Sequence, residues 1–341
     1  MSEAHSGAGR PGGPDPNQLL RLAQSAAVEA ARMLAARRAA GRPGVVATKS
    51  SPTDVVTEAD RAAEAMIIER IKAERPDDVF LGEEGGLQGG PSGSSPSGSP
   101  SPSGPPSPSG PPSPSGHPSP SGPSSAPSRL DGADGAAEVA RATRQGDGQL
   151  DVRWIVDPLD GTVNYLYGLP DFAVSIAAEV GGAIVAGVVH IPERDEVFTA
   201  VAGGGAWLRA GGRPAIALRC NQGVPLARAL VATGFGYMAA RRRVQGEVAA
   251  ALLPLVRDIR RGGSAAVDLC SVAAGRVDAY YERGVNYWDI AAGGLIAREA
   301  GARMGGLSGE PAGPDLTIVA GPGLFDELHG QLEKLNPQRD E

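Results

Sequence analysis

The reading of this 341-residue chain turns on one stretch, Trp154-Ile155-Val156-Asp157-Pro158-Leu159-Asp160-Gly161-Thr162-Val163-Asn164. An apolar strand ends by presenting two carboxylates and a hydroxyl. Pro158 and Gly161 force the chain to turn sharply, so Asp157 and Asp160 can face one point beyond the strand end. Thr162 then opens a short helix, whose unpaired backbone N–H groups can hold an anion. Hard oxygen ligands beside an anion cradle imply Mg²⁺-assisted phosphate chemistry. A solvated turn is the competing explanation, because Asp-Pro and Asp-Gly are ordinary turn dipeptides.

Working outward, the strand follows a segment that cannot fold. From Pro91 to Ser128 the chain uses only Pro, Ser and Gly, apart from His117 and Ala126. It has almost no apolar surface to bury, so 88–149 is expected to be a largely disordered insert. Residues 1–16 read as a polar tail. What remains, 17–87 and 150–336, is about 260 residues, enough for one catalytic domain of two tightly joined halves, the second starting near 229.

A net charge of −7 argues against a nucleic-acid-binding surface and fits a metal-dependent site. Only two cysteines are present, Cys220 and Cys270, so a disulfide framework or zinc site is not expected and a reducing cytoplasm is. No apolar run resembles a signal peptide or a membrane span, since the Ala-rich stretch at 18–38 carries Arg21, Glu29, Arg32, Arg37 and Arg38.

That stretch repeats apolar residues at helical spacing and predicts an amphipathic helix over 18–38. A second helix should run from Glu58 to about Arg75. Residues 79–81 and 153–157 are expected as short buried strands flanking the insert. Phe172 to Leu208 has the pattern of a β-meander punctuated by Gly181-Gly182, Pro192-Glu193-Arg194 and Gly203-Gly204-Gly205. Beyond Ala229 the pattern alternates: strand 229–234, helix 242–256, strand 258–261, helix 264–274, strand 277–282, helix 289–300, strand 316–320 and helix 322–335. An antiparallel middle with helix-rich flanks predicts layered α and β.

Three more acidic signals are spread along the chain. In Asp54-Val55-Val56-Thr57-Glu58-Ala59-Asp60, helix capping suffices as an explanation, with Thr57 at N-cap and Asp60 reaching back from N3. Gly82-Glu83-Glu84-Gly85-Gly86 alone reads as a turn. Trp288-Asp289 precedes an apolar helix, which assigns Asp289 the N-cap. Together they change the picture, because each carboxylate sits at a strand end or helix start, where a layered fold gathers its loops. Were Glu83, Asp157, Asp160 and Asp289 within ~5 Å of one another, each pair would repel by about 3 kcal/mol at an effective dielectric of 20. Bound Mg²⁺ would reverse the sign and turn the cluster into a phosphate site.

These residues resemble the inositol monophosphatase family, most closely its bacterial inositol-1-monophosphatases. The resemblance rests on Asp54-x-Val56-Thr57-x-x-Asp60, Gly82-Glu83-Glu84, the Trp154–Asn164 stretch, Gly263-Ser264-Ala265-Ala266, Ala279-Tyr280-Tyr281-Glu282-x-Gly284 and Trp288-Asp289-x-Ala291-Ala292-Gly293. It spans about 18 to 335 except the insert. It implies an α-β-α-β-α sandwich with mixed and antiparallel sheets, similar to fructose bisphosphatase, and Mg²⁺-dependent hydrolysis of phosphate monoesters, myo-inositol 1-phosphate first. By that resemblance Glu83, Asp157 and the Leu159 carbonyl hold one metal and Asp157, Asp160 and Asp289 the second, with a weaker third on Glu83. Thr162, bonded to Asp60, would orient and deprotonate the attacking water together with Glu83. The Gly161 and Thr162 N–H groups would hold phosphate oxygens. Gly263, Ser264, Ala265 and Glu282 would face the substrate hydroxyls, with Asp160 within reach and Asp289 beside the substrate. A homodimer and a mobile loop around Lys49 are implied likewise. Alternatives are a sibling phosphatase acting on histidinol phosphate, fructose bisphosphate or a nucleotide 3′-phosphate, and a fold-retaining protein that binds RNA polymerase.

The insert is a departure from the family pattern, separating Glu83 from Asp157 by 74 positions. Lengthening a loop from ~20 to ~74 residues costs only about 1.2 kcal/mol of closure entropy, so the site tolerates it. The insert reads as a passive loop, with docking of readers of Pro-rich motifs as the lesser alternative. His190, ending a strand, reads as structural.

Overall fold

The computed structural model describes residues 13–41, 45–48, 55–89 and 151–339; side chains at 45–48, 55 and 56 are not described. Most of the 1–16 tail, Lys49, Asp54 and the insert from residue 90 to 150 lie outside the described residues.

Helix α1 (Pro16–Ala40) starts where Asp15 accepts the Asn17 N–H at 2.9 Å and Pro16 enters the first turn. Its buried stripe of Leu19, Leu22, Ala23, Ala26, Ala30 and Leu34 faces a sheet. Helix α2 (Glu58–Lys72) packs beside it, opened by the expected capping box between Thr57 and Asp60. Ahead of α2, β1 (Val45–Thr48) and β2 (Val55–Thr57) form a small antiparallel pair that the sequence pattern did not signal.

The first large sheet contains β3 (Val79–Gly82), β4 (Gly86–Gln88), β5 (Val152–Asp160), β6 (Ala173–Val180), β7 (Ala183–Ile191), β8 (Glu196–Val201), β9 (Gly205–Ala210) and β10 (Ile216–Ala217). Its order is β10-β9-β8-β7-β6-β5-β3-β4. Strands β6 to β9 are the expected meander, and only β3 and β5 run parallel. Trp154, with no exposed surface, anchors the core between this sheet and α1–α2, its indole N–H donating to Asp78 at 2.8 Å. His190 is buried in β7, and burial lowers its pKa, as a structural role requires.

On the other face lie α5 (Ala265–Ala273) and α6 (Tyr287–Glu299). Ala266, Cys270, Ala292, Leu295 and Ile296 pack against the first sheet, while Leu269, Val272, Ile290 and Ala297 pack against a second. That second sheet is β11 (Leu230–Thr233), β12 (Asp258–Arg260), β13 (Ala279–Glu282), β14 (Arg303–Gly305) and β15 (Thr317–Ala320), in the order β12-β11-β13-β15-β14. Helices α4 (Ala239–Leu252) and α7 (Pro322–Leu335) cover its far side. Between β5 and β6 lies the short α3 (Thr162–Tyr167). The layers therefore run α-β-α-β-α, as the motifs implied.

Three boundaries differ from expectation. The helix expected to reach 256 gives way to a 3₁₀ turn at Leu253–Leu255, because Pro254 cannot continue the α ladder. Helix α2 stops three residues before Arg75. Helix α6 begins at Tyr287, with Asn286 rather than Asp289 at N-cap; Asp289 sits at N3 and accepts the Asn286 N–H, completing a capping box. Both cysteines are free and buried. Among the described residues, no helix is long and apolar enough to cross a membrane.

Candidate active site

In a regular strand, residues three apart point to opposite faces. Asp157 and Asp160 nevertheless line one cavity, because β5 is bulged between them. Asp157 pairs with Ser175 and Asp160 with Ala173, so Pro158 and Leu159 together oppose a single residue of β6. The extra residue rephases the strand and turns the second carboxylate toward the first. Asp157 closes the bulge by accepting the Leu159 N–H at 3.0 Å. Gly161 follows at φ +91°, and a Cβ there would lie 2.9 Å from the Asp171 carbonyl, so a side chain is excluded. Asn164 donates to the Asp171 carbonyl at 2.6 Å and the Gly262 carbonyl at 2.9 Å, tying α3 to the loop before α5.

Thr162 Oγ1 lies 3.0 Å from Asp60 Oδ1 and 3.1 Å from the Leu159 carbonyl, with its one proton shared between them. Asp60 is thus both things the sequence suggested. One oxygen caps α2 and the other holds Thr162. Asp160 Oδ2 accepts from Ser264 Oγ at 2.7 Å and from the Ala266 N–H at 2.6 Å, which binds β5 to the start of α5. Ser264 faces the cavity, yet its hydroxyl proton goes to Asp160, and its oxygen caps α5 by accepting from Val267 at 3.2 Å.

The cavity measures about 380 Å³. Glu83, Asp157, Asp160, Gly161, Thr162 and Asp289 line it together with Gly263, Ser264, Ala265 and Glu282. Of the residues singled out in the sequence, Asp60 and Leu159 stand behind this wall, each touching Thr162 instead.

Asp157 and Asp289 are held far above the usual carboxylate range, first by burial and then by facing carboxylates, Glu83 and Asp160 among them. Asp160 is raised to about 6 by burial, against the opposing effect of its Ser264 and Ala266 hydrogen bonds and of nearby Arg261. Glu282 is raised to about 7 by burial, opposed by the Tyr280 hydroxyl that donates to it at 2.9 Å. Among the described residues, no three His, Cys, Asp or Glu side chains already close into a metal cage. The mutual repulsion opposes ionisation of the cluster, and a bound cation would relieve it at neutral pH.

Several lining residues carried no signal in the sequence. Phe235, Tyr237 and Met238 follow β11, while Arg241 and Arg261 bring positive charge to the acidic wall. Asp268, behind Glu282, is raised well above the usual range by burial and then by Glu282 and Asp160. The available clue was its position as the one charged residue of the apolar run Ala265–Ala273.

A five-layer sandwich that gathers buried acids and a held hydroxyl in one cavity defines a class, the phosphatases of the inositol monophosphatase and fructose bisphosphatase type. The chain belongs to the inositol monophosphatase family, whose pattern it matches over residues 15–338. It is 40% identical over 331 residues to an inositol-1-monophosphatase SuhB of Mycobacterium tuberculosis strain H37Rv, covering 94% of this chain and 96% of that one. A Nus factor SuhB of Pasteurella multocida is 35% identical over 326 residues, covering 94% and 97%. The solved structure of Mycobacterium tuberculosis SuhB superimposes with a TM-score of 0.66 at 37% identity, covering 95% of this chain and 99% of that one. Family membership makes the chain a phosphatase of small phosphate monoesters, in a family that is generally metal-dependent.

Proposed function

We propose that this chain hydrolyses myo-inositol 1-phosphate with Mg²⁺, releasing inositol and phosphate. The observation that carries the reading is the convergence, in one cavity, of five carboxylates, Glu83, Asp157, Asp160, Glu282 and Asp289, and a hydroxyl held by Asp60. The donor set fits hard divalent cations, since every candidate ligand is an oxygen and the carboxylates are desolvated against one another. Glu83, Asp157 and the Leu159 carbonyl would hold one ion, and Asp157, Asp160 and Asp289 a second, with a third on Glu83. Metal held by these residues would neutralise the cluster and supply charge stabilisation for the transferring phosphoryl group and the leaving oxygen.

The chain's own residues supply the rest. When Thr162 donates to Asp60, a lone pair of its oxygen is left for a water in the cavity. Glu83, which also lines the cavity, accepts that water's proton in the same reading, and Asp60 fixes the hydroxyl's direction. The N–H groups of Gly161 and Thr162 take phosphate oxygens. Glu282 is placed to accept from ring hydroxyls, and its buried carboxyl would repel a second phosphate, which favours a polyol over a bisphosphate. Family resemblance supports a homodimer. The two free buried cysteines support a reducing compartment.

Phosphate release is the test, measured on inositol 1-phosphate, histidinol phosphate, fructose bisphosphate and adenosine 3′-phosphate with Mg²⁺ or chelator. Greatest kcat/KM on inositol 1-phosphate, abolished by chelation, is expected. A preference for another substrate would move the assignment to a sibling phosphatase. The relatives called Nus factors support a second reading as a partner of the transcription machinery. No release from any substrate, with retention of RNA polymerase in a pull-down, would favour it.

A further inference from the structure

Glu83 is tied through both of its peptide units. Its own N–H donates to the Val156 carbonyl at 3.1 Å, which sets it beside Asp157. The next N–H, that of Glu84, donates to Glu64 Oε2 at 2.9 Å. Glu64 lies on α2, is only 4% exposed and also receives the Gln88 amide at 3.5 Å. The turn wraps around its carboxyl group. A Cβ on Gly82 would fall 2.4 Å from Glu64 Oε2, and one on Gly85 would fall 2.7 Å from Oε1. Gly82 thus leaves room for this carboxyl, and Gly85 for the carboxyl and for the Gln88 amide bonded to it.

Glu64 stands four residues after Asp60, on the same face of α2. From that face Asp60 holds Thr162 and Glu64 holds the turn that carries Glu83. We infer that Glu64 is a positioning residue for Glu83, so that one helix face orients both the hydroxyl and one metal-ligating carboxylate of the site. The inference rests on the proposed reading of Glu83 as a metal ligand. Its physical basis is that groups bonded to the ligands fix the ligands' geometry, and losing one typically weakens metal binding 10- to 100-fold. Glu64 touches neither the cavity nor the reacting atoms, and an ion bound at saturation would itself hold Glu83 in place, so the effect should fall on metal binding more than on turnover at saturation.

The test is calorimetric titration of the full-length chain with MgCl₂, alongside the Mg²⁺ dependence of phosphate release. Glu64→Ala should bind Mg²⁺ at least tenfold more weakly, while kcat at saturating Mg²⁺ falls less than threefold. Glu64→Gln keeps an oxygen acceptor for the Glu84 N–H and should restore binding to within threefold of wild type. Glu64→Met fills the same volume without an acceptor and should match the Ala variant, which keeps the test decisive if truncation unfolds the protein. Wild-type Mg²⁺ affinity in Glu64→Met, with or without a lowered melting temperature, would reduce Glu64 to a packing residue and overturn the inference. So would a Gln variant as weak as the Met variant. Failure of the wild-type chain to bind Mg²⁺ at all would overturn the metal reading itself, and this inference with it.

Discussion

Replacing Asp160 with Asn should make the metal-free protein more stable at neutral pH and reduce the stability it gains from Mg²⁺. Burial raises the Asp160 carboxyl from 3.8 to about 6. A raised carboxyl binds its proton more tightly when folded than when unfolded. Its contribution is therefore fully present below about pH 4 and is lost as the pH climbs through 6. At 1.36 kcal/mol per pH unit the loss above pH 6 reaches about 3 kcal/mol. Asn cannot ionise, and its oxygen can still accept from Ser264 and Ala266, so the variant avoids most of that penalty. For a chain of this size, about 3 kcal/mol corresponds to ~6–12 °C in melting temperature, an upper bound because neighbouring acids share the same protons. The assay is thermal unfolding in EDTA and in excess MgCl₂ from pH 4.5 to 8. The variant should melt higher than wild type in EDTA at pH 7.5, the gap closing by pH 4.5, while MgCl₂ raises the melting temperature of wild type more than that of the variant. A variant that melts lower than wild type in EDTA at pH 7.5 would refute the argument that ionised Asp160 opposes folding of the metal-free protein.

Thr162→Ala should lower kcat by about 10²–10⁴ while leaving Mg²⁺ affinity within severalfold, as calorimetry beside steady-state kinetics would show. Near-normal turnover would remove Thr162 from water activation. Glu282→Ala should raise KM for inositol 1-phosphate more than it lowers kcat, since the carboxyl is assigned to the polyol; an unchanged KM would favour another substrate. Exhaustive chelation should abolish phosphate release, Mg²⁺ should restore it, and Ca²⁺ should inhibit, because a larger and more loosely coordinated ion relaxes the geometry of in-line attack. Full turnover in EDTA would exclude the metal assignment.

What the sequence reveals of this site depends on how far apart the interacting residues lie along the chain. The strand end at Asp157–Thr162 is legible because Pro158 and Gly161 announce a break within the same few residues. The capping role of Asp60 is legible too, because Thr57 is three residues away. Its bond to Thr162, 102 positions off, entered through family resemblance alone. Asp289 was placed one role away from its true one, since Asn286 is an equally good cap and nothing local ranks the two. Asp268 and Glu64 went unnoticed, because an isolated charge on a helix reads as solvated until packing buries it, and Arg261 because nothing local says that its loop borders the cavity. Strands β4, β10 and β14, of two or three residues each, are too short to carry a periodicity.

The parallel pairing of β3 with β5 also dictates an order of assembly. Strands β6 to β9 are joined by short connections, as where Val180 meets Ala183 across a two-residue turn, so the meander can zip up locally. Gly82 and Val156 must instead meet across 74 positions, which costs about 2.6 kcal/mol more than closing a four-residue hairpin. Such a contact forms late in folding, after the local ones have lowered the entropy of the chain it joins. The turn bearing Glu83 then docks after the meander, although it is synthesised before any strand of it. In pulse-labelled hydrogen exchange the amides of β6 to β8 should gain protection before those of β3, and simultaneous protection would contradict this sequence of events.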